Sequence, residues 1–194
     1  MALFKAIEVQ GATIPGSKSG SIIRPDKHTF WNRQQKVIAD EFDSKEFLVD
    51  HSVTFVSDGA WNMHDLVYYL LKRFGSGKVY ITTWAISEIA MRQLFIYQKE
   101  SLITELYMLC DYRNTSRKPA ELAFIEKNST KIKLAKIHAK VTVLMLPSIC
   151  LSINGSPNYT RNPRLESGTI TVSKEVADFH KGWILEQIYN GETQ

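Results

Sequence analysis

Two titratable side chains stand two residues apart in an otherwise apolar stretch, His138 and Lys140 in KIHAKVTVLM. On an extended strand alternate residues share a face, so the imidazole and the ammonium would emerge side by side, roughly 6–7 Å apart. Thr142 continues that face, while Val141 and Val143 take the other. Beyond a turn at Leu146-Pro147-Ser148 comes a second polar group, Gly155-Ser156-Pro157-Asn158, and Glu166 follows eight residues after Asn158. The Gly and Pro fix a tight turn, which lets Ser156 and Asn158 present a hydroxyl and an amide at a strand end. An imidazole can move a proton, and an ammonium, a hydroxyl and an amide beside it supply charge and hydrogen bonds. Taken singly, each residue is ordinary: a strand histidine is commonly satisfied or solvent-facing, and Gly-Ser-Pro-Asn is a common turn.

The elements around these residues follow from periodicity. EFLVDHSVTFVS, KVYITTWAI, TELYMLCD, SICLSING and ESGTITVS are rich in β-branched and aromatic residues and predict strands. Met63, Leu66, Val67, Leu70, Leu71 and Phe74 recur at helical spacing and stop at Gly75; Ser87 can cap a helix running to about Lys99. KPAELAFIEKN predicts a short helix, and KEVADFHKGWILEQIYN a closing amphipathic one burying Val176, Phe179, Trp183, Ile184 and Ile188. Between residues 131 and 144 the alternation slips by one near Ala135, predicting a break before a strand Lys136–Leu144. Strands alternating with helices imply an α/β domain with a mixed, largely parallel sheet flanked by helices. Residues 1–45 read as a partly irregular N-terminal extension with a short helix in WNRQQKVIADEF, and residues 46–194 as the domain proper.

Composition narrows the class. In 194 residues, 44% hydrophobic and 23% charged usage excludes disorder and low complexity. No apolar run reaches the roughly 18–20 residues that span a bilayer, and the N-terminus lacks a secretory pattern, so the expectation is a cytoplasmic protein without membrane contact. Cys110 and Cys150 sit in apolar runs and read as buried free thiols. Residues 111–140 hold eight Lys/Arg against three acids, so this segment alone carries more net charge than the chain's +4. It could face a phosphate backbone through Arg113, Arg117, Lys118, Lys133 and Lys136, or be a solvated lysine face on an edge strand. Trp84 and Asp58 follow apolar runs and read as core-edge packing and helix capping.

Taken together, HAK at 138–140, GSPN at 155–158 and Glu166 resemble the signature of the phospholipase D superfamily, a His-x-Lys strand followed by Gly-Ser-x-Asn and a glutamate. The likeness covers about residues 46–190 and is nearest to the small single-motif nucleases of bacteria and phages. Two positions depart from the pattern: Met145 stands where an acidic residue is usual, and the His138–Gly155 interval is three residues longer. The resemblance implies a phospholipase D-like fold and metal-independent phosphodiester cleavage through a phosphohistidine, with no cofactor. His138 would attack phosphorus; Lys140 and Asn158 would hold the non-bridging oxygens, Ser156 would add a contact, and Glu166 would orient the imidazole. The reaction needs a second histidine, which single-motif members supply by forming a twofold homodimer with the site at the interface. His28, His51, His64 and His180 lie outside the motif and read as surface or boundary residues. The expected activity is a nuclease acting on DNA or RNA. The alternatives are a catalytically degenerate module that binds nucleic acid or protein, and a phospholipid headgroup hydrolase.

Overall fold

The computed structural model describes residues 46–59, 61–113, 129–161 and 164–191, the strands at 19–23 and 31–34, and the single positions 38, 42, 43, 123, 124 and 127. Its strands are β1 (Ser19–Ile23), β2 (Trp31–Gln34), β3 (His51–Ser57), β4 (Gly77–Thr83), β5 (Ile103–Asp111), β6 (Lys131–Ala135), β7 (Val141–Met145), β8 (Cys150–Gly155) and β9 (Glu166–Val172). The helices are α1 (Met63–Phe74), α2 (Glu88–Lys99) and α3 (Lys174–Asn190). The described strands form one sheet, in the order β2-β1-β3-β9-β8-β7-β4-β5-β6.

The chain is therefore α/β with a mixed sheet flanked by helices, but the sheet is not largely parallel. Among the described strands, β4–β5 and β5–β6 run parallel and the other pairings are antiparallel. Parallel pairing is confined to β4–β5 and β5–β6; β3-α1-β4 also alternates, but three antiparallel strands separate β3 from β4 in the sheet. From β7 onward the strands meander, because turns as short as the one at Pro147 can join only antiparallel neighbours. Two strands of the 1–45 segment join the same sheet through β3, and the start of the expected helix at 31–42 is β2. Most of the expected helix at 118–128 lies outside the described residues.

Local chemistry sets the helix ends. The Asp65 carboxylate accepts from Asn62 N–H at 2.8 Å and from its Nδ2 at 3.1 Å at the start of α1, the N3 carboxylate satisfying the N-cap backbone as in a capping box. Gly75 closes that helix at φ 99°, its N–H donating to Leu71, a backbone region that favours glycine. Ser87 caps α2, accepting from Ala90 N–H. One face of the sheet packs Val53, Phe55, Ile81, Met108, Leu144, Leu151 and Ile170 with residues of α1 and α2. The other packs Tyr80, Leu109, Val141 and Val143 under α3. The closing helix buries Ala177, Ile184 and Ile188, with Val176 and Trp183 half-buried. Phe179 is 68% exposed, a correction to its expected burial, because α3 rests on the sheet through the 177/184/188 stripe. No helix among the described residues is long and apolar enough to cross a membrane.

Candidate functional site

The registers bring the motif residues to one end of the sheet. Ser57 pairs with Glu166, Gly155 with Gly168, Val141 with Asn154 and Thr82 with Val141. The last residues of β3, β4, β5 and β8 and the first of β7 and β9 therefore share an edge, the position at which α/β sheets open their ligand crevices.

The His138-Lys140 segment is not part of a strand, contrary to the expected strand from Lys136. It bridges the end of β6 and the start of β7, and Thr82 fastens it there: its Oγ1 donates to Ala139 O at 3.1 Å and accepts from Val141 N–H at 3.0 Å. His138 is exposed, and its ring meets that of Trp84 with centroids 5.9 Å apart and planes at 57°. Lys140 is half-buried; its Nζ donates to His138 O at 3.0 Å, and it lines a cavity of about 210 Å³ with Thr82, Thr142, Gly155, Pro157 and Tyr159.

The turn after β8 is held from two sides. Gly155 crosses β9 so closely that a Cβ there would lie 2.4 Å from Ser167 O and 2.7 Å from Gly168 Cα, which is why the turn begins with glycine. Ser156 donates its backbone N–H to Ser167 O at 2.9 Å, accepts from Ser167 N–H on Oγ at 3.1 Å and donates from Oγ to the Glu166 carboxylate. Glu166 thus accepts from Ser156, and Ser57 stands opposite it across the strand ends. Asn158 Oδ1 lies 3.2 Å from Ala85 N–H and 3.3 Å from Thr83 Oγ1, both donating to it. Tyr159 then closes the turn against 85–87, with its fully buried hydroxyl 2.7 Å from Thr142 Oγ1. Burial pushes that phenol's pKa well up. A second cleft, about 290 Å³, adjoins the first through Met63 and Pro157 and is lined by Ser57, Trp61, Asn158, Thr160 and Glu166.

The basic residues divide. Arg113 pairs with Asp111, Nε to Oδ1 at 2.7 Å, and its guanidinium lies 5.3 Å from the Trp84 ring centre. Burial alone would raise the Asp111 carboxyl, but hydrogen bonds from Arg113 and from the Ile137 backbone outweigh it and hold the pKa below the usual value. Lys136 is exposed at the site end of β6. Lys133 Nζ donates to Gly191 O at the end of α3 and so caps a helix terminus. Arg117 and Lys118 lie outside the described residues.

Other expectations resolve with the sheet. Met145 ends β7 opposite Lys78 and Cys150, at the other end of the strand from Val141, so the departure from the family pattern falls at the far edge. His51 begins β3 at that same far edge, and His180 sits on α3 behind the sheet. His64, expected at the surface or boundary, is 6% exposed in α1. Burial lowers its pKa more than Asp65 at 3.4 Å raises it, which disfavours the charged imidazolium. His28 lies outside the described residues. Cys110 is buried, its thiol pushed up to about 12 by burial; Cys150 is half-buried, and both are free. No group of three or more metal-ligating side chains occurs among the described residues. Thr82 and Tyr159 are site residues the sequence left unassigned, and Trp84, read from the sequence as core-edge packing, meets the His138 ring. Trp84 signalled itself by its place after β4, and the other two gave no signal, since their hydrogen-bond partners stand on other strands far along the chain.

No protein-family model matches the sequence, and no curated protein matches it. Among solved structures, the fold is similar to that of TrmBL2, an archaeal chromatin protein whose structure is described as showing a novel mode of DNA binding. The TM-score is 0.50 at 9% identity, over 81% of this chain. The chain spans 58% of that protein's length, and at this identity the likeness is one of fold alone.

Proposed function

We propose that the chain is a metal-independent phosphodiesterase, a nuclease of the phospholipase D type, in which His138 is the nucleophile. One observation carries this reading: His138 and Asn158, twenty residues apart in the sequence, both adjoin the stretch Thr83–Ala85, with Lys140 in the cavity beside them. An exposed imidazole can reach a phosphodiester at the surface. Its Nε2 or Nδ1 forms the P–N bond as the P–O bond to the leaving alkoxide breaks, and a second acid protonates that oxygen. Water then attacks phosphorus, gives up a proton and releases the histidine. Lys140 supplies positive charge and Asn158 Nδ2 a hydrogen bond where negative charge builds on the non-bridging oxygens. Ser156 and Glu166, bonded to each other, shape the turn that carries Asn158.

Nucleic acid is the proposed substrate on the strength of the basic 111–140 segment, of which Lys136 is exposed beside the site. TrmBL2 binds DNA as a property of that protein; here it supports the reading only through the shared fold. The second acid is assigned to His138 of another copy, in a homodimer whose twofold axis passes the site. Among the described residues, His51 and His180 lie elsewhere, and His64 is buried, which disfavours its charged form. The Ser156–Glu166 pairing favours a second reading, a binding module in which that carboxylate serves the turn and not the histidine.

The test is cleavage of a labelled oligonucleotide in the presence of chelator by wild type and His138→Ala. Chelator-resistant cleavage that the variant loses supports the phosphodiesterase. Equal nucleic-acid binding by both proteins with no cleavage by either selects the binding module.

A further inference from the structure

One buried charge at this end of the sheet has no part in the reaction as written. Asp111, the last residue of β5, is 1% exposed, a place where an ionised carboxylate is costly unless it is paired. Three of its hydrogen bonds come from Arg113 and one from the segment that carries His138. Oδ1 accepts from Arg113 N–H at 3.1 Å and from Arg113 Nε at 2.7 Å. Oδ2 accepts from Arg113 Nη2 at 3.3 Å and, at 3.4 Å, from the backbone N–H of Ile137, the residue before His138. The guanidinium so held lies 5.3 Å from the Trp84 ring centre, and the Trp84 ring meets the imidazole at 5.9 Å. Asp111 therefore reaches His138 by two routes, through the backbone at Ile137 and through Arg113 and Trp84.

We infer that Asp111, Arg113 and Trp84 are positioning residues for His138, the carboxylate setting the backbone and the guanidinium-indole pair setting the ring. The inference rests on the proposed role of His138. It follows from where that residue sits. Residues 136–140 have left the sheet, so no strand ladder fixes them. Thr82 secures the 139–141 side of the segment, and Asp111 secures the 137 side. An exposed histidine held only by its own backbone samples several rotamers. A displacement of about 1 Å in a reacting group can cost roughly 100-fold in rate, so a support of this kind matters more to turnover than to folding. Glu166 is paired elsewhere, and the family's usual acid is absent at Met145. Asp111 comes from another strand, which is why no motif centred on His138 contains it.

The experiment uses the full chain and three variants, Trp84→Leu, Arg113→Gln and Asp111→Asn, with two readouts. The first is the His138 imidazole Hε1 resonance by NMR, assigned as the signal lost in His138→Gln; the second is steady-state cleavage of a labelled oligonucleotide. The expected result is a moved or broadened His138 resonance in each variant, with kcat lowered roughly 10- to 100-fold and KM within about twofold of wild type. A lowered melting temperature with an unmoved resonance and an unchanged kcat per folded molecule would mean a merely structural network and overturn the inference. Should Asp111→Asn fail to fold, the two rim positions Trp84 and Arg113 decide the matter alone. Should wild type cleave nothing, the proposed reaction falls. The resonance in Arg113→Gln and Asp111→Asn, which keep the indole and its ring current beside the imidazole, then shows by itself whether the network holds the ring.

Discussion

The carboxamide of Asn158 has two ends in different surroundings. Its Oδ1 accepts from Ala85 N–H and Thr83 Oγ1, while Nδ2 has no partner among the described residues. Asn158→Asp keeps the acceptor and replaces the donor with a second carboxylate oxygen. The expected outcome is a near-native melting temperature, with oligonucleotide affinity lowered at least tenfold, because a hydrogen bond to a charged partner is worth about 1.5–3 kcal/mol. Fluorescence anisotropy checks it; unchanged affinity in a folded variant would remove Asn158 from the site. Gly155 is a second single-residue requirement. A methyl group there would meet Ser167 O at 2.4 Å, and backbone cannot swing aside as a side chain can. Gly155→Ala should cost about 1–3 kcal/mol in urea unfolding and displace the turn holding Asn158. The residue types of this site are legible in the sequence as HAK, GSPN and Glu166. Their pairing is not: the resemblance implies Glu166 on the imidazole, and its bond with Ser156 shows only once β8 and β9 are seen in register.

At the scale of elements, β7 shows where periodicity misleads. Ile137, Ala139, Val141 and Val143 alternate as a strand would, yet β7 starts only at Val141. The backbone groups of 137, 139 and 141 are captured by Asp111 and Thr82, side chains of distant strands, so the ladder is replaced before it begins. The slip near Ala135, by contrast, is readable and matches the end of β6. A parallel sheet is expected too widely because β-α alternation in the first half says nothing of a later meander. Met145 lies at the opposite end of β7 from the site and packs at the edge of the core beneath α3. Met145→Asp, which installs the residue type usual in the signature that the sequence resembles, should cost about 1–3 kcal/mol of stability for burying a carboxylate and leave cleavage per folded molecule unchanged. A gain in kcat would show that the acid acts across the length of the strand.

For the molecule as a whole, several groups tie stability to pH in the same direction, His64, His180 and Asp111 among them. Burial lowers the pKa of His64 and His180 in the folded state, and Asp111 is held low by its hydrogen bonds against the effect of burial. A depressed folded-state value means stability that is fully present above the unfolded value and lost as pH falls towards the folded one. Stability should therefore decline below the ordinary histidine value of 6.5 as the histidines protonate on unfolding, then again below 3.8 for Asp111. Urea midpoints across that range check this, and His64→Gln should flatten the first decline; a variant curve identical to wild type would take His64 out of the account. The second whole-molecule prediction is the dimer. Sedimentation should give a species of twice 22.2 kDa. Its twofold interface should bury more than about 1000 Å² in total, beyond the range of casual contacts. Mixing wild type with His138→Ala should then depress activity beyond simple dilution, whereas an active 22.2 kDa species would sink the shared site.

The pairing of β3 with β9 joins residues far apart along the chain, as where Ser52 Oγ donates to Thr171 Oγ1 across 119 positions. During synthesis β3 is exported early and waits, without that neighbour, until β9 has left the ribosome. Contacts of such separation slow folding, because the intervening loop must close before they contribute. Meanwhile β3 presents an open edge of Val53, Phe55 and their neighbours to whatever strand it meets. Nascent chains stalled before residue 166 should recruit chaperones and resist native assembly, and release past 172 should end both. The same late event joins Ser156 to Glu166, so the site comes into being only when the sheet is finished.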